Sequence, residues 1–112
     1  MLMSYWLILK KTATSKRAAM PRASDYAKIV KKDWIRLSHS GRYDLNRLQQ
    51  AMLLLIAHDA PLPPAWLDHA LKGEWSDHRE CHTGGNSLLI YRAGADYIIF
   101  VRAGTHAELF AD

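Results

Sequence analysis

From residue 24 to residue 40 the apolar side chains Tyr26, Ile29, Val30, Trp34 and Leu37 recur at three- and four-residue intervals. Lys28, Lys31, Lys32 and Arg36 mostly fill the other faces. This is the period of an amphipathic helix, with Ser24 as its expected N-cap and Gly41 as its stop. Asp44 then caps a second predicted helix whose stripe is Leu45, Leu48, Met52, Leu55 and Ile56, and Ala60-Pro61-Leu62-Pro63-Pro64 ends it. Two helices joined by a short glycine-containing turn make an αα-hairpin. Beyond the prolines the period falls to two. Gly73 precedes a strand-like stretch over 74–81, Thr83-Gly84-Gly85-Asn86 reads as a hairpin turn, and β-rich runs follow over 88–92 and 97–102, separated by Ala93-Gly94-Ala95-Asp96. The pattern predicts a three-stranded antiparallel meander. The fold class is therefore α+β, a helical hairpin packed on a small twisted antiparallel sheet, with a short C-terminal helical turn ending at Phe110.

A chain of 112 residues, 49% of them apolar, is the size of one domain and has enough core to fold without disulfides. Cys81 is the single cysteine, which excludes a disulfide framework and a four-cysteine zinc site and points to a reducing, cytoplasmic setting. The apolar run Met1 to Leu9 is too short to span a bilayer, and its positive charges follow it instead of preceding it as in a signal peptide. No membrane or export segment is expected. Residues 1–15 read as an extension, an added strand, a partner-binding tag or an early start before Met20, and residues 16–112 as the single domain.

Charge divides the chain. Residues 1–42 carry ten Lys and Arg against two acids, and residues 43–112 five against nine. A cationic first third attracts phosphate backbones or an acidic protein partner, and is otherwise a solvated basic face.

The six histidines are the candidate chemistry. His39 and His58 fall near helix ends, where an imidazolium meets the negative end of the dipole, and read as structural or exposed. His78 shares a nominal strand face with His82, but the spacings match no recognised metal-ligand pattern, and no metal site is expected. His69, His82 and His106 each fall just outside a regular element, at the rim of the sheet, where sites form. Ribonuclease chemistry would give them a shared task. One group takes the proton of a ribose 2′-hydroxyl, another protonates the departing 5′-oxygen, and a cation such as Arg102 or Arg79 balances charge on the phosphate. Scattered surface histidines are the alternative. Phe110 is either a core plug or a stacking platform for a base.

Four motifs in order carry a resemblance. They are Asp68-His69-Ala70-Leu71-Lys72-Gly73-Glu74-Trp75, Arg79-Glu80-Cys81-His82, Leu88-Leu89-Ile90-Tyr91 and Arg102-Ala103-Gly104-Thr105-His106-Ala107-Glu108-Leu109-Phe110. With Tyr26, Gly41-Arg42-Tyr43-Asp44 and Leu62-Pro63 also in place, the chain from about Ser24 to Phe110 resembles the YafQ family of the RelE/ParE superfamily of bacterial toxin-antitoxin toxins. The resemblance implies a RelE-like fold and a metal-independent endoribonuclease, with no cofactor, that cuts mRNA in the A site of the 70S ribosome. It also implies a labile, DNA-binding antitoxin as partner. His69 and His82 match the family's histidines of proton transfer and positioning, Arg102 its phosphate-stabilising arginine, His106 its general acid and Phe110 its RNA-orienting aromatic.

Lys28, Lys31, Lys32 and Arg79 are the further expected RNA contacts. A regular strand would put Arg79 and His82 on opposite faces, so a bulge or turn must redirect one of them if both are to reach one phosphate. Where the family commonly has an acid followed by Trp, this chain has Asn86-Ser87, and Asn86 cannot take up a proton. A non-enzymatic binder, either a gyrase-directed toxin or a decayed antitoxin-binding remnant, is the rival reading. It has no chemical need of the histidine set.

Overall fold

The computed structural model describes residues 20–41, 43–58 and 61–110, so the extension lies outside the described residues. The first strand, β1 (Ala23–Tyr26), is followed by helices α1 (Lys28–Ser40) and α2 (Leu45–Ala57). Strands β2 (His69–Ala70), β3 (Arg79–Gly84), β4 (Ser87–Ala93) and β5 (Tyr97–Thr105) then lead into the five-residue helix α3 (His106–Phe110). The five strands form one sheet in the order β1-β5-β4-β3-β2.

The expected α+β architecture and the meander, here β3-β4-β5, are present. Three local expectations are corrected. Ser24 does not cap α1: residues 23–26 pair in parallel with Tyr97–Phe100, so the sheet is mixed, and α1 starts after Ala27, whose N–H donates to the Phe100 carbonyl at 2.9 Å. The free edge of β5 satisfies that backbone before a helix can begin. The stretch 74–81 is mostly not strand. Gly73–Trp75 is a 3-10 turn, His78 N–H closes on the Trp75 carbonyl at 2.8 Å, and β3 starts only at Arg79. The four-residue turn tightens to Gly85-Asn86, with Gly84 and Gly85 at φ 117° and 53°, a region that favours glycine.

Asp44 caps α2 as expected, accepting from Arg47 N–H at 3.1 Å. The helices lie on one face of the sheet. Val30, Leu37, Leu48 and Met52 pack there with Cys81, Leu89, Tyr91, Ile98 and Phe100. The opposite face carries a smaller cluster, Leu88, Ile90 and Leu109, with Leu71, Trp75, Val101 and Phe110 against it.

A carboxylate sits within the helical layer. Asp33, 2% exposed, accepts from Arg102 Nε (2.9 Å) and Nη2 (3.1 Å), from Ala103 N–H (3.0 Å) and from Arg36 Nη1 (3.0 Å). Burial alone would raise its pKa, but these donors together hold the carboxyl below the ordinary carboxylate range. Because the folded-state pKa is depressed, the stabilisation is complete above the unfolded value and is lost as pH falls through the folded one. Asp33→Ala should therefore cost about 3 kcal/mol at neutral pH, and should flatten the loss of stability on acidification below about pH 4. Urea unfolding at a series of pH values measures both.

Candidate active site

Strand register sets the open face. His69 stands opposite Glu80, Glu80 opposite Ile90 and Ile90 opposite Arg102, so these four form one row across β2, β3, β4 and β5. The neighbouring row runs from His82 through Leu88 to Gly104. Leu88 and Ile90 belong to the cluster away from the helices, which places Glu80 and His82 on that side as well. Gly104 is two strand spacings from His82, about 10 Å, and His106 follows it by two residues.

Glu80 is the residue that the sequence reading missed. Its side chain is 7% exposed, whereas those of His69 and His82 are 50% and 34% exposed, so a buried carboxylate stands behind two solvent-facing imidazoles. His69 Nε2 lies 3.1 Å from Glu80 Oε2, and His69 Nδ1 lies 2.7 Å from the Leu67 carbonyl. A carbonyl only accepts, so Nδ1 carries the hydrogen of that contact and Nε2 is the nitrogen turned to the carboxylate. Both ring nitrogens of His69 are thereby engaged. His82 Nε2, at 3.9 Å from the same oxygen, is beyond hydrogen-bond reach and remains available. The face periodicity was the available signal, because Glu80 and His82 are two apart on one strand. The same two-residue period would also place His78 on this face, but His78 precedes β3 and packs edge-on against Trp75 at 5.0 Å.

One ligand atom from each of His69, Glu80 and His82 lies within 4.8 Å of the others, so these are the residues that could hold a divalent cation of the zinc type. Linear spacing did not reveal this grouping, since His69 reaches it through strand pairing.

At the far end of β5, Thr105 and Glu108 form a capping box. Glu108 Oε1 accepts from Thr105 N–H at 2.8 Å, and Thr105 Oγ1 accepts from Glu108 N–H at 3.2 Å. The Thr105 hydrogen bond is the largest influence on the Glu108 carboxyl and lowers its pKa. His106 N–H donates to the Asn86 carbonyl at 3.3 Å. Asn86 thus contributes a backbone group that any residue would supply at this position. The exposed His106 ring lies 4.7 Å from that of Phe110, which meets Trp75 edge-on at 6.1 Å. Phe110 is half-buried, so one part packs and another remains at the surface.

Arg102 is held through Nε and Nη2 by Asp33, and that hydrogen bonding raises its pKa further. Its side chain remains 20% exposed. Arg79 is not brought to the histidine face. The bulge in β3 lies between His82 and Gly84, beyond Arg79, which stays opposite Tyr91 and pairs with Asp68 at 3.3 Å. Tyr91 donates to the same Asp68 carboxylate. Lys28, Lys31 and Lys32 are exposed on α1, in the layer on the other side of the sheet. Burial pushes the Cys81 thiol up to about 12, which removes it as a nucleophile near neutral pH. His39 is exposed in the last turn of α1. His58 departs from expectation: burial first, then the nearby Arg22, lowers its pKa and disfavours the imidazolium expected at a helix C-terminus. No helix among the described residues is long and apolar enough to cross a membrane.

Residues 22–111 match the family described as the bacterial toxin of type II toxin-antitoxin system, YafQ. The mRNA interferase toxin YafQ of Escherichia coli K12 is 37% identical over 89 residues, covering 80% of this chain and 96% of that protein. The crystal structure of YafQ from E. coli BL21(DE3) superposes with a TM-score of 0.73 at 35% identity, covering 80% of this chain and 98% of that one. The toxin in the E. coli DinJ-YafQ complex gives 0.71 at 36% identity, with the same coverage of the two chains.

Proposed function

The chain belongs to the YafQ family of toxins of bacterial type II toxin-antitoxin systems, and on that footing we propose that it is an mRNA interferase, an endoribonuclease that cuts messenger RNA in the ribosomal A site by histidine general acid–base catalysis without a metal. The observation that carries this reading is the gathering of His69, Glu80 and His82 on the open sheet face, with His106 and Phe110 at the end of β5.

His82 accepts the proton of a ribose 2′-hydroxyl. The 2′-oxygen then attacks phosphorus, the bond to the 5′-oxygen breaks, and His106 gives that oxygen a proton, leaving a 2′,3′-cyclic phosphate and a free 5′-hydroxyl. The open Nε2 of His82 favours it as base over His69, and Glu80 is placed to stabilise the imidazolium that forms on His82. Arg102 meets charge developing on the phosphate, and Phe110 stacks on a nucleobase. The exposed Lys28, Lys31 and Lys32 suit ribosomal RNA in the active complex. In the resting complex they suit an acidic segment of a labile, DNA-binding antitoxin that orders as it binds. The relative's complex with DinJ supports an antitoxin as the class of partner.

The test is cleavage of a translated mRNA on purified 70S ribosomes with the 5′ ends mapped. Cuts confined to A-site codons, absent without ribosomes, are expected. Intact mRNA in the presence of folded, antitoxin-free protein would instead favour the non-enzymatic binder, and a gyrase supercoiling assay would follow.

A further inference from the structure

The Asp33 carboxylate is buried, fully engaged and unused by the chemistry above. Its position follows from the shape of the sheet. Pairing between β1 and β5 ends at Tyr26 and Phe100, so among the described residues the edge of β5 beyond Phe100 has no strand beside it. There α1 supplies the missing partners, since Asp33 accepts the Ala103 N–H and Arg36 Nη2 donates to the Ala103 carbonyl at 3.2 Å. Two side chains of a helix thus stand in for a neighbouring strand, next to Arg102. Gly104 follows, and a Cβ there would come within 2.9 Å of both Arg36 Nη2 and Glu108 Oε1, so a larger residue would push these two side-chain ends aside.

The same carboxylate grips the Arg102 guanidinium through Nε and Nη2. A planar guanidinium held along one edge presents its other edge, Nη1 and the second hydrogen of Nη2, in one fixed direction. Register sets the Arg102 backbone in the row of Ile90, Glu80 and His69, and the break in register between Ile90 and Tyr91 leaves Val101 as the extra residue beside it. A second arm leaves the same turn of α1, because Arg36 Nη2 lies 3.5 Å from Glu108 Oε1, the acceptor that caps α3 and so fixes the backbone of His106.

We propose that Asp33 is a positioning residue for RNA cleavage, aiming the free edge of Arg102 at the scissile phosphate from the buried side of the sheet edge without touching RNA itself. The inference rests on the reading of Arg102 as the phosphate-stabilising group. Edge satisfaction alone would require only the Ala103 and Arg36 contacts. The additional two-point grip orders a side chain that is still 20% exposed.

A double-mutant cycle on single-turnover cleavage of ribosome-bound mRNA tests it, with each protein assayed well below its melting temperature. Asp33→Asn should slow cleavage about tenfold and Arg102→Gln about 10²-fold, while the half-saturating toxin concentration stays within about twofold of wild type. The double variant should fall within about threefold of Arg102→Gln alone, because an aim acting through Arg102 has nothing left to act on. Losses that multiply to about 10³, or an Asp33→Asn protein as fast as wild type, overturn the assignment. If Asp33→Asn does not fold, Asp33→Glu takes its place in the cycle. It keeps the charge on a longer arm, and the same non-additivity is expected from a smaller loss. A wild-type protein that leaves mRNA intact removes the nuclease reading and this inference with it, whereas an active wild type with a multiplicative cycle removes the inference alone.

Discussion

His106→Ala is expected to lower the single-turnover rate of mRNA cleavage by about 10³-fold while leaving the fold intact. The ring is exposed at the first position of α3, and the capping box is formed by Thr105 and Glu108 without it, so its removal should shift unfolding by less than about 0.5 kcal/mol. The loss should have a chemical signature. A 5′-alkoxide is a poor leaving group and needs a proton as the phosphorus–oxygen bond breaks, whereas a thiolate departs without one. On an mRNA carrying sulfur in place of the bridging 5′-oxygen at the scissile bond, His106→Ala should cut within about tenfold of the wild-type rate. Equal slowing on both substrates would show that His106 is not the acid and that its side chain serves positioning. The adjacent Phe110 ring gives it a packed neighbour for that role too, which is why the sulfur substrate and not the rate alone decides.

Sequence legibility followed burial. The helical hairpin and the β3-β4-β5 meander were readable because each element buries one face, and burial leaves a period in the sequence. β1 left none: Ala23, Ser24, Asp25 and Tyr26 are all exposed, and their pairing partners lie more than seventy residues away. β2 is two residues long and could not have been found by pattern. In the site, residue types were legible and their couplings were not. His69, His82, His106 and Arg102 stood out by chemistry, but that Glu80 backs the first two depends on strand pairing. Asp33 did leave a signal. Val30, Asp33 and Leu37 fall at i, i+3 and i+7 on the buried stripe of α1, and a carboxylate in such a stripe implies buried donors. Likewise, Thr105 and Glu108 have the spacing of a capping box. Arg79 illustrates the reverse, a charged residue inside a motif whose strand position aims it at Asp68 on the helical side.

The two histidines at Glu80 should separate by their hydrogen bonds. His82→Ala is expected to slow cleavage by about 10² to 10³-fold, and His69→Ala by about tenfold. A general base must have a lone pair open toward the 2′-hydroxyl. His69 spends Nδ1 on the Leu67 carbonyl and Nε2 on Glu80, whereas His82 Nε2 stands clear of the carboxylate at 3.9 Å. Losing His69 would still unbalance the site, because Glu80 is buried and the His69 ring is its close polar partner at 3.1 Å, but that effect acts on the base instead of removing it. The sulfur-bridged mRNA again discriminates. Proton removal from the 2′-hydroxyl is needed whatever group leaves, so His82→Ala should remain slow on the substrate that rescues His106→Ala. If His69→Ala proves the more damaging and His82→Ala the milder, the base is His69. Its contact with Glu80 must then open when RNA arrives, the carboxylate passing to His82, which is already on the same face of β3 and needs to move by less than about 1 Å to come within hydrogen-bond reach.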